Sequence, residues 1–103
     1  MIPAQGDIWW AESEDKRRPI LVLTRSEAIP VLHRIMVAPI TRTVRGIPTE
    51  VPFDEEDGLP GPCAAAFDNL MPLPKTFLTG LVSPGAHRRQ QICTALSALA
   101  DCR

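Results

Sequence analysis

The sequence has no long apolar run. No stretch approaches the roughly 18 consecutive apolar residues of a membrane-spanning helix, and no membrane partner is expected. The first ten residues, MIPAQGDIWW, contain neither the basic region nor the apolar segment of a signal peptide. The sequence therefore predicts a cytoplasmic protein.

Cysteine is also scarce. The three cysteines, Cys63, Cys93 and Cys102, are odd in number and form no C-x-x-C pair. This spacing favours neither a disulfide framework nor a zinc ribbon. We expect reduced thiols, with Cys63 and Cys93 as small core residues.

The chain has no linker, low-complexity tract or repeat, and it is predicted to form one domain over residues 1–103. With 45% hydrophobic residues, a chain of this length can bury about two thirds of the surface that it exposes when unfolded. We therefore expect it to fold alone.

Charge is nearly balanced overall but strongly partitioned along the chain. The net charge of −1 argues against a nucleic-acid partner. However, residues 16–45 hold seven cations against the single acid Glu27, whereas residues 50–57 hold five acids and no base. Scattered surface charge is the alternative interpretation of such runs.

Short apolar segments separated by turns predict a mainly β fold. Six segments have the composition or alternation of strands. They are Ile8–Ala11, Pro19–Thr24, Ile35–Ile40, Thr49–Phe53, Cys63–Phe67 and Leu78–Val82. The run from Pro19 is buried on both faces in this interpretation, and Pro39 is confined to an edge, an end or a bulge. Five or six such strands indicate a small, strongly bent β barrel.

One helix is predicted after the last strand, with Ser83 as its N-cap and Pro84 at its first position. Apolar residues recur within it at helical spacing, so that one face packs on the barrel or on a partner. These residues are Ile92, Ala95, Leu96 and Leu99.

Two cationic segments are the candidates for chemistry. Pro19 restricts Arg18 to an extended conformation at the start of a buried strand, which fixes a planar guanidinium suited to phosphate. At the end of the next buried strand, PITRTVRG supplies hydroxyls and guanidiniums from Thr41, Arg42, Thr43 and Arg45. If the two strands pair, these groups can meet in a phosphate pocket. A surface ion pair of Arg18 with a nearby acid and an ordinary polar loop are the alternatives.

Four blocks of the sequence together resemble the MazF/PemK family of toxin–antitoxin ribonucleases. They are GDIWW at 6–10, RRPILVLTR at 17–25, APITRTVRGIPTEVP at 38–52 and GLPGPCAAAFDNL at 58–70. The resemblance implies a Src-homology-3-like (SH3-like) β barrel that forms a homodimer and cleaves single-stranded RNA at short motifs without metal or other cofactor. It also implies a cognate antitoxin whose C-terminal segment occupies the RNA groove. The RNA is mRNA in the first place, with tRNA and rRNA as further candidates.

The resemblance also assigns roles to residues. The family's catalytic arginine and threonine fall on Arg18 and Thr41, and its acidic–amide pair near the substrate falls on Asp68 and Asn69, although a simple turn explains that pair equally well. The implied reaction is attack of the RNA 2′-hydroxyl on the adjacent phosphate. Arg18 would stabilise charge and donate a proton, because a guanidinium stays protonated in proteins and is a poor base. The base stays open.

Lys16, Arg17, Arg42 and Arg45 would hold the RNA backbone, together with the Thr43 hydroxyl. The histidines His33 and His87 lie outside the matched blocks, and exposed positions are the favoured interpretation for both. The segment before Arg17 is shorter than in many relatives, which leaves the cut site open.

Two other classes of function are compatible with these residues. One is a non-catalytic toxin of the CcdB type, which poisons a protein. The other is a small nucleic-acid-binding barrel whose basic segment binds phosphates and leaves RNA intact. Fold alone does not separate these classes from an enzyme.

Overall fold

The computed structural model describes residues 2–13, 16–83 and 88–100. Within these residues the chain forms seven strands and one α-helix, with short 3-10 turns between strands. The strands are β1 (Ile8–Ser13), β2 (Lys16–Val22), β3 (Arg34–Thr41), β4 (Glu50–Phe53), β5 (Cys63–Ala66), β6 (Met71–Pro74) and β7 (Leu78–Ser83), and the helix is α1 (Arg89–Ala100). The predicted mainly β fold with a C-terminal helix is confirmed.

All strand pairs are antiparallel, and the order across the sheet is β4-β5-β3-β2-β1-β7, with β6 added to β3. The outermost strands β4 and β7 do not pair with each other in the part of the chain that the structure describes. The sheet is therefore open, whereas a closed barrel would join its two edges.

Pro39 lies where β3 changes its pairing. Its partner in β2 is Ile20, and this pair is the last of the β2–β3 ladder. On the other edge of β3, β6 pairs as far as Val37 and β5 begins to pair at Ile40. Since proline has no N–H to donate, this break in the ladders accommodates it.

Both faces of the sheet are buried, as the continuous apolar run of β2 predicts. Ile20 and Val22 lie in one core cluster, whereas Leu21 lies in the other. The helix covers the cluster that contains Leu21, to which it contributes the buried residues Ile92 and Ala95. The apolar face of α1 thus packs on the sheet of its own chain.

The helix boundary differs from the sequence prediction. Ser83, the predicted N-cap, is the last residue of β7, and the described helix begins at Arg89. Pro84, the predicted first helical residue, lies outside the described residues. Among the helices of the described ranges, none has the length and hydropathy needed to cross a membrane.

Candidate functional site

Two cavities flank β2. The large cavity has a volume of about 610 Å³ and the small cavity about 130 Å³. The large cavity is lined by Trp10, Arg17, Pro19, Ile40, Thr41, Arg42, Leu59, Pro60, Gly61, Pro62 and Cys63. The small cavity is lined by Ala11, Glu12, Ser13, Lys16, Arg18, Ile20, Met71, Leu73 and Phe77.

Strand alternation explains how the basic triplet is divided between the cavities. Successive side chains of a strand point to opposite faces. Arg17 and Pro19 accordingly line the large cavity, whereas Arg18 and Ile20 line the small one. Lys16 also lines the small cavity. The three consecutive cations of β2 therefore line two different cavities.

Thr41 ends β3 at the large cavity. Its hydroxyl oxygen accepts the backbone N–H of Thr43 at 3.1 Å. A hydroxyl that accepts in this way still has its own proton to donate. Arg17 and Arg42 line the same cavity as Thr41, so one space is bordered by a residue with a neutral hydroxyl donor and two residues with guanidinium groups.

Arg18 and Thr41 line different cavities, although the β2–β3 register would bring them together. Ile20 pairs with Pro39, and two further steps would place Arg18 opposite Thr41. The ladder ends at Ile20, so in the described sheet Thr41 has no partner in β2, and on the other edge of β3 it pairs with Ala64 of β5. At the large cavity it is Arg17, rather than Arg18, that shares a lining with Thr41.

Trp10 is a cavity residue that the sequence interpretation treated only as part of a strand. The guanidinium carbon of Arg17 lies 4.4 Å from the centroid of the Trp10 ring. This cation–π contact favours a position of the exposed Arg17 side chain over the Trp10 ring, and both residues line the large cavity. The sequence could have indicated this contact. Trp10 and Arg17 lie on strands that pair, and diagonal neighbours of antiparallel strands are close enough for long side chains to touch.

Cys63 lies in the large cavity lining but is not suited to act as a nucleophile. Burial raises the pKa of its thiol, and the charges of Asp57 and Asp54 raise it further, while Arg42 opposes them. The thiol lies 3.8 Å from the Phe53 carbonyl oxygen, to which it donates. A protonated thiol is a weak nucleophile.

The acidic segment, predicted to be a loop, is a 3-10 turn tied to the helix. Asp54 caps the turn Glu55–Asp57 in a capping box. Asp57 is 1% exposed and accepts two hydrogen bonds from Arg88, at 3.2 Å from Nε and 2.8 Å from an Nη atom. Glu55 and Glu56 are exposed. This ion pair anchors the chain just before the wall of the large cavity at residues 59–62.

The remaining predicted site residues line neither cavity. Thr43 and Arg45 are exposed after β3, and the Arg45 N–H donates to Glu50 Oε1 at 2.9 Å. Asp68 and Asn69 are exposed in a 3-10 turn, as the turn interpretation predicts, and Asp68 accepts a hydrogen bond of 2.6 Å from the Thr49 hydroxyl.

His33 is exposed, as predicted, and its carbonyl accepts the Lys75 N–H. His87 lies outside the described residues. Within residues 2–13, 16–83 and 88–100, no three His, Cys, Asp or Glu side chains form a group that could hold a metal ion.

The fold and this cavity define a class of small antiparallel β proteins with one closing helix. Solved structures share the fold. A Mycobacterium tuberculosis toxin, MazF-mt6, superposes with a TM-score of 0.84 at 37% identity, over 94% of this chain and 98% of that one. An endoribonuclease from a mycobacterial species, solved with its cognate antitoxin, also gives a TM-score of 0.84, over 98% of this chain and 97% of that one. Its identity of 22% supports the fold alone.

Sequence comparison identifies the family. The model of the PemK-like, MazF-like toxin of type II toxin–antitoxin systems matches residues 4–101, and the chain belongs to this family. It is 39% identical to a Mycobacterium tuberculosis protein named "Probable endoribonuclease MazF5", over 98% of this chain and 95% of that protein. It is 50% identical over 60 residues to Endoribonuclease MazF3 of the same species, which covers 58% of each chain.

Proposed function

We propose that this chain is the toxin of a type II toxin–antitoxin system and a metal-independent endoribonuclease that cleaves single-stranded RNA. Family membership over residues 4–101 supports the toxin assignment, and the names of the relatives support the activity. The structural observation that carries the proposal is the convergence of Thr41, Arg17 and Arg42 on one cavity. Such a site offers a neutral donor and two cations to a phosphate.

Thr41 and Arg18 are the proposed catalytic residues. In the proposed reaction the RNA 2′-oxygen loses its proton and forms a bond to the adjacent phosphorus, while the bond from phosphorus to the 5′-oxygen breaks. The products are a 2′,3′-cyclic phosphate and a 5′-hydroxyl, whose proton comes from a general acid. Thr41 would donate its hydroxyl proton in a hydrogen bond to a phosphoryl oxygen, which supports the charge that develops there.

Arg18 has the roles of charge stabilisation and proton donation. It is exposed at the start of β2, and a register of two further steps would put it opposite Thr41. In this structure Arg18 lines the small cavity, so this role requires its side chain to turn toward Thr41 when RNA binds. The group that takes the 2′-hydroxyl proton is not assigned.

The other predicted residues would bind the RNA backbone around this centre. Their contribution is salt-sensitive where it comes from cations, because each neutralised phosphate releases counterions. These residues are Lys16, Arg17, Arg42, Thr43, Arg45, Asp68 and Asn69. Their exposure or their position at the cavities supports this role.

The proposed partners are a cognate antitoxin and a second copy of the chain, both in the cytoplasm. The toxin–antitoxin family supports the antitoxin, whose C-terminal segment would occupy the RNA groove. Exposed apolar side chains support a protein interface, since Ile2 is 68% and Val31 80% exposed. Sedimentation of the purified protein distinguishes the homodimer from a monomer.

The test uses a long unstructured RNA incubated in EDTA with the wild type, with Arg18→Ala and with Arg25→Ala. Arg25 is a matched control, because it is exposed beyond the other end of β2 and lies 4.0 Å from Glu27 in a surface ion pair. We expect wild-type cleavage, cleavage by Arg25→Ala at a similar rate, and a loss of about 100-fold or more in Arg18→Ala. The wild type is also incubated in buffer with Mg²⁺ and no EDTA. RNA that stays intact under both conditions contradicts the enzyme assignment, and cleavage with Mg²⁺ but not in EDTA contradicts metal independence. Equal cleavage by all three proteins contradicts the role of Arg18.

A further inference from the structure

We propose that the large cavity is a nucleobase pocket in which one unpaired base of the RNA stacks on the Arg17–Trp10 pair. This inference rests on the proposed function, because it names the part of the substrate that the cavity takes. The volume of about 610 Å³ lies within the range of about 300–1,000 Å³ that is typical of ligand sites.

The lining of the large cavity suits a base better than a phosphate alone. Apolar side chains from three parts of the chain contribute to it, among them Pro19, Ile40 and Leu59. A phosphate gains nothing from apolar walls, whereas a base has two apolar faces and a polar edge. Arg17 and Arg42 of the same lining supply donors for that edge or for the flanking phosphates.

The stacking platform is held in place by both neighbouring strands. Trp10 pairs with Pro19 of β2 and with Gly80 of β7. A Cβ atom at Gly80 would lie 3.9 Å from the indole Cδ1 atom, so the ring lies against this glycine. The guanidinium of Arg17 then covers the ring, with 4.4 Å to its centroid. A base that stacks on this pair meets a fixed planar surface.

The two adjacent tryptophans have different roles. Trp9 is 6% exposed in the core, and its indole N–H donates to Asp7 at 3.3 Å. Trp10 is half-buried and lines the large cavity. The exposed Arg17 guanidinium, supported from behind by the Trp10 ring, is therefore the surface available to a ligand, whereas Trp9 belongs to the core.

The position of the platform ties it to cleavage. Trp10 and Thr41 line the same cavity, so a base stacked there belongs to a nucleotide next to the phosphate that Thr41 contacts. Such a base must be unstacked from its neighbours, which single-stranded RNA permits and a duplex opposes. The pocket thus explains a preference for single strands.

The test compares two uncleavable probes of equal charge. One is a pool of random-sequence 12-nucleotide 2′-O-methyl RNA, and the other is a 12-residue abasic oligomer with the same phosphates. We expect the wild type to bind the first probe about tenfold more tightly. Trp10→Leu should lose most of this preference, and Trp10→Phe should keep most of it because phenylalanine still stacks.

A second variant keeps the test decisive if Trp10→Leu fails to fold. Arg17→Lys changes an exposed residue, retains the charge and removes the planar guanidinium. We expect it to bind the abasic oligomer as the wild type does and to bind the base-containing pool several-fold more weakly, while Arg25→Ala binds both probes as the wild type does.

A wild type without preference for bases overturns the pocket, as does a full preference in both Trp10→Leu and Arg17→Lys. These binding measurements require no cleavage. A protein that cuts no RNA but shows the expected preference therefore contradicts the proposed function and leaves the base pocket standing.

Discussion

Replacing Arg88 with methionine should destabilise the fold strongly, because Arg88 is the cation of a buried ion pair. The Asp57 side chain is 0% exposed and that of Arg88 20%. Removing one partner of a buried pair costs about 3–5 kcal/mol. Because Asp54 N–H still donates to Asp57 at 3.0 Å, we expect a loss near the lower end, about 3 kcal/mol. Methionine retains an apolar stem, so most of the loss reflects the missing charge.

Urea denaturation measures this loss. A small protein loses about 1–3 kcal/mol of stability per molar urea, so the midpoint of Arg88→Met should fall by roughly 1–3 M. The matched control is the double variant Asp57→Asn/Arg88→Met, which removes the buried charge as well and should recover part of the loss. A loss below about 1 kcal/mol, the value of a surface pair, or no recovery in the double variant would refute this account of the ion pair.

Three further predictions concern single residues. Thr41→Ala should cleave RNA about 100-fold more slowly than the wild type while it binds RNA almost as tightly. Equal losses of binding and cleavage would contradict a catalytic role and assign Thr41 to binding. Gly58→Ala should lower the thermal midpoint more than Gly46→Ala, since both glycines have positive φ but only at Gly58 would the new Cβ lie 3.3 Å from Val82; equal shifts would contradict this. Burial raises the pKa of the Cys63 thiol in the folded protein. The protonated thiol therefore contributes stability below the ordinary thiol pKa, and this contribution is lost as pH rises through the pKa of the folded state. Cys63→Ala should flatten the decline of the unfolding free energy at alkaline pH, measured by urea denaturation at several pH values; an unchanged decline would contradict the raised pKa.

Much of the strand content could be predicted because burial follows apolar runs. The segment Ile35–Ile40 falls within β3, and Cys63–Phe67 contains β5. The sequence interpretation missed β6, Met71–Pro74, because two prolines in four residues argue against a strand. Within the described residues β6 pairs with β3 alone, so its other edge has no neighbouring strand there. On that edge a proline without an N–H loses no ladder hydrogen bond.

The site could be predicted only in part. The sequence predicted that, if β2 and β3 pair, the cationic start of β2 lies near the Thr41 end of β3. The two strands do pair, and Arg17 and Thr41 line the same cavity. Which arginine faces Thr41 depends on where the ladder stops, and Ile20↔Pro39 as its last pair is a tertiary feature that composition does not reveal. Asp57, read as part of an acidic loop, is buried by its pairing with Arg88 across 31 positions of sequence, a contact that no local pattern signals.

The chemistry of the RNA ends tests the central claim most directly. Wild-type protein is incubated in EDTA with a single-stranded RNA, the cut site is mapped, and the same RNA is made with a 2′-deoxy nucleotide on the 5′ side of the cut. The account predicts products with a 2′,3′-cyclic phosphate and a 5′-hydroxyl, and no cleavage at the deoxy position. Products with a 3′-hydroxyl and a 5′-phosphate, or cleavage at the deoxy position, would contradict attack by the 2′-hydroxyl.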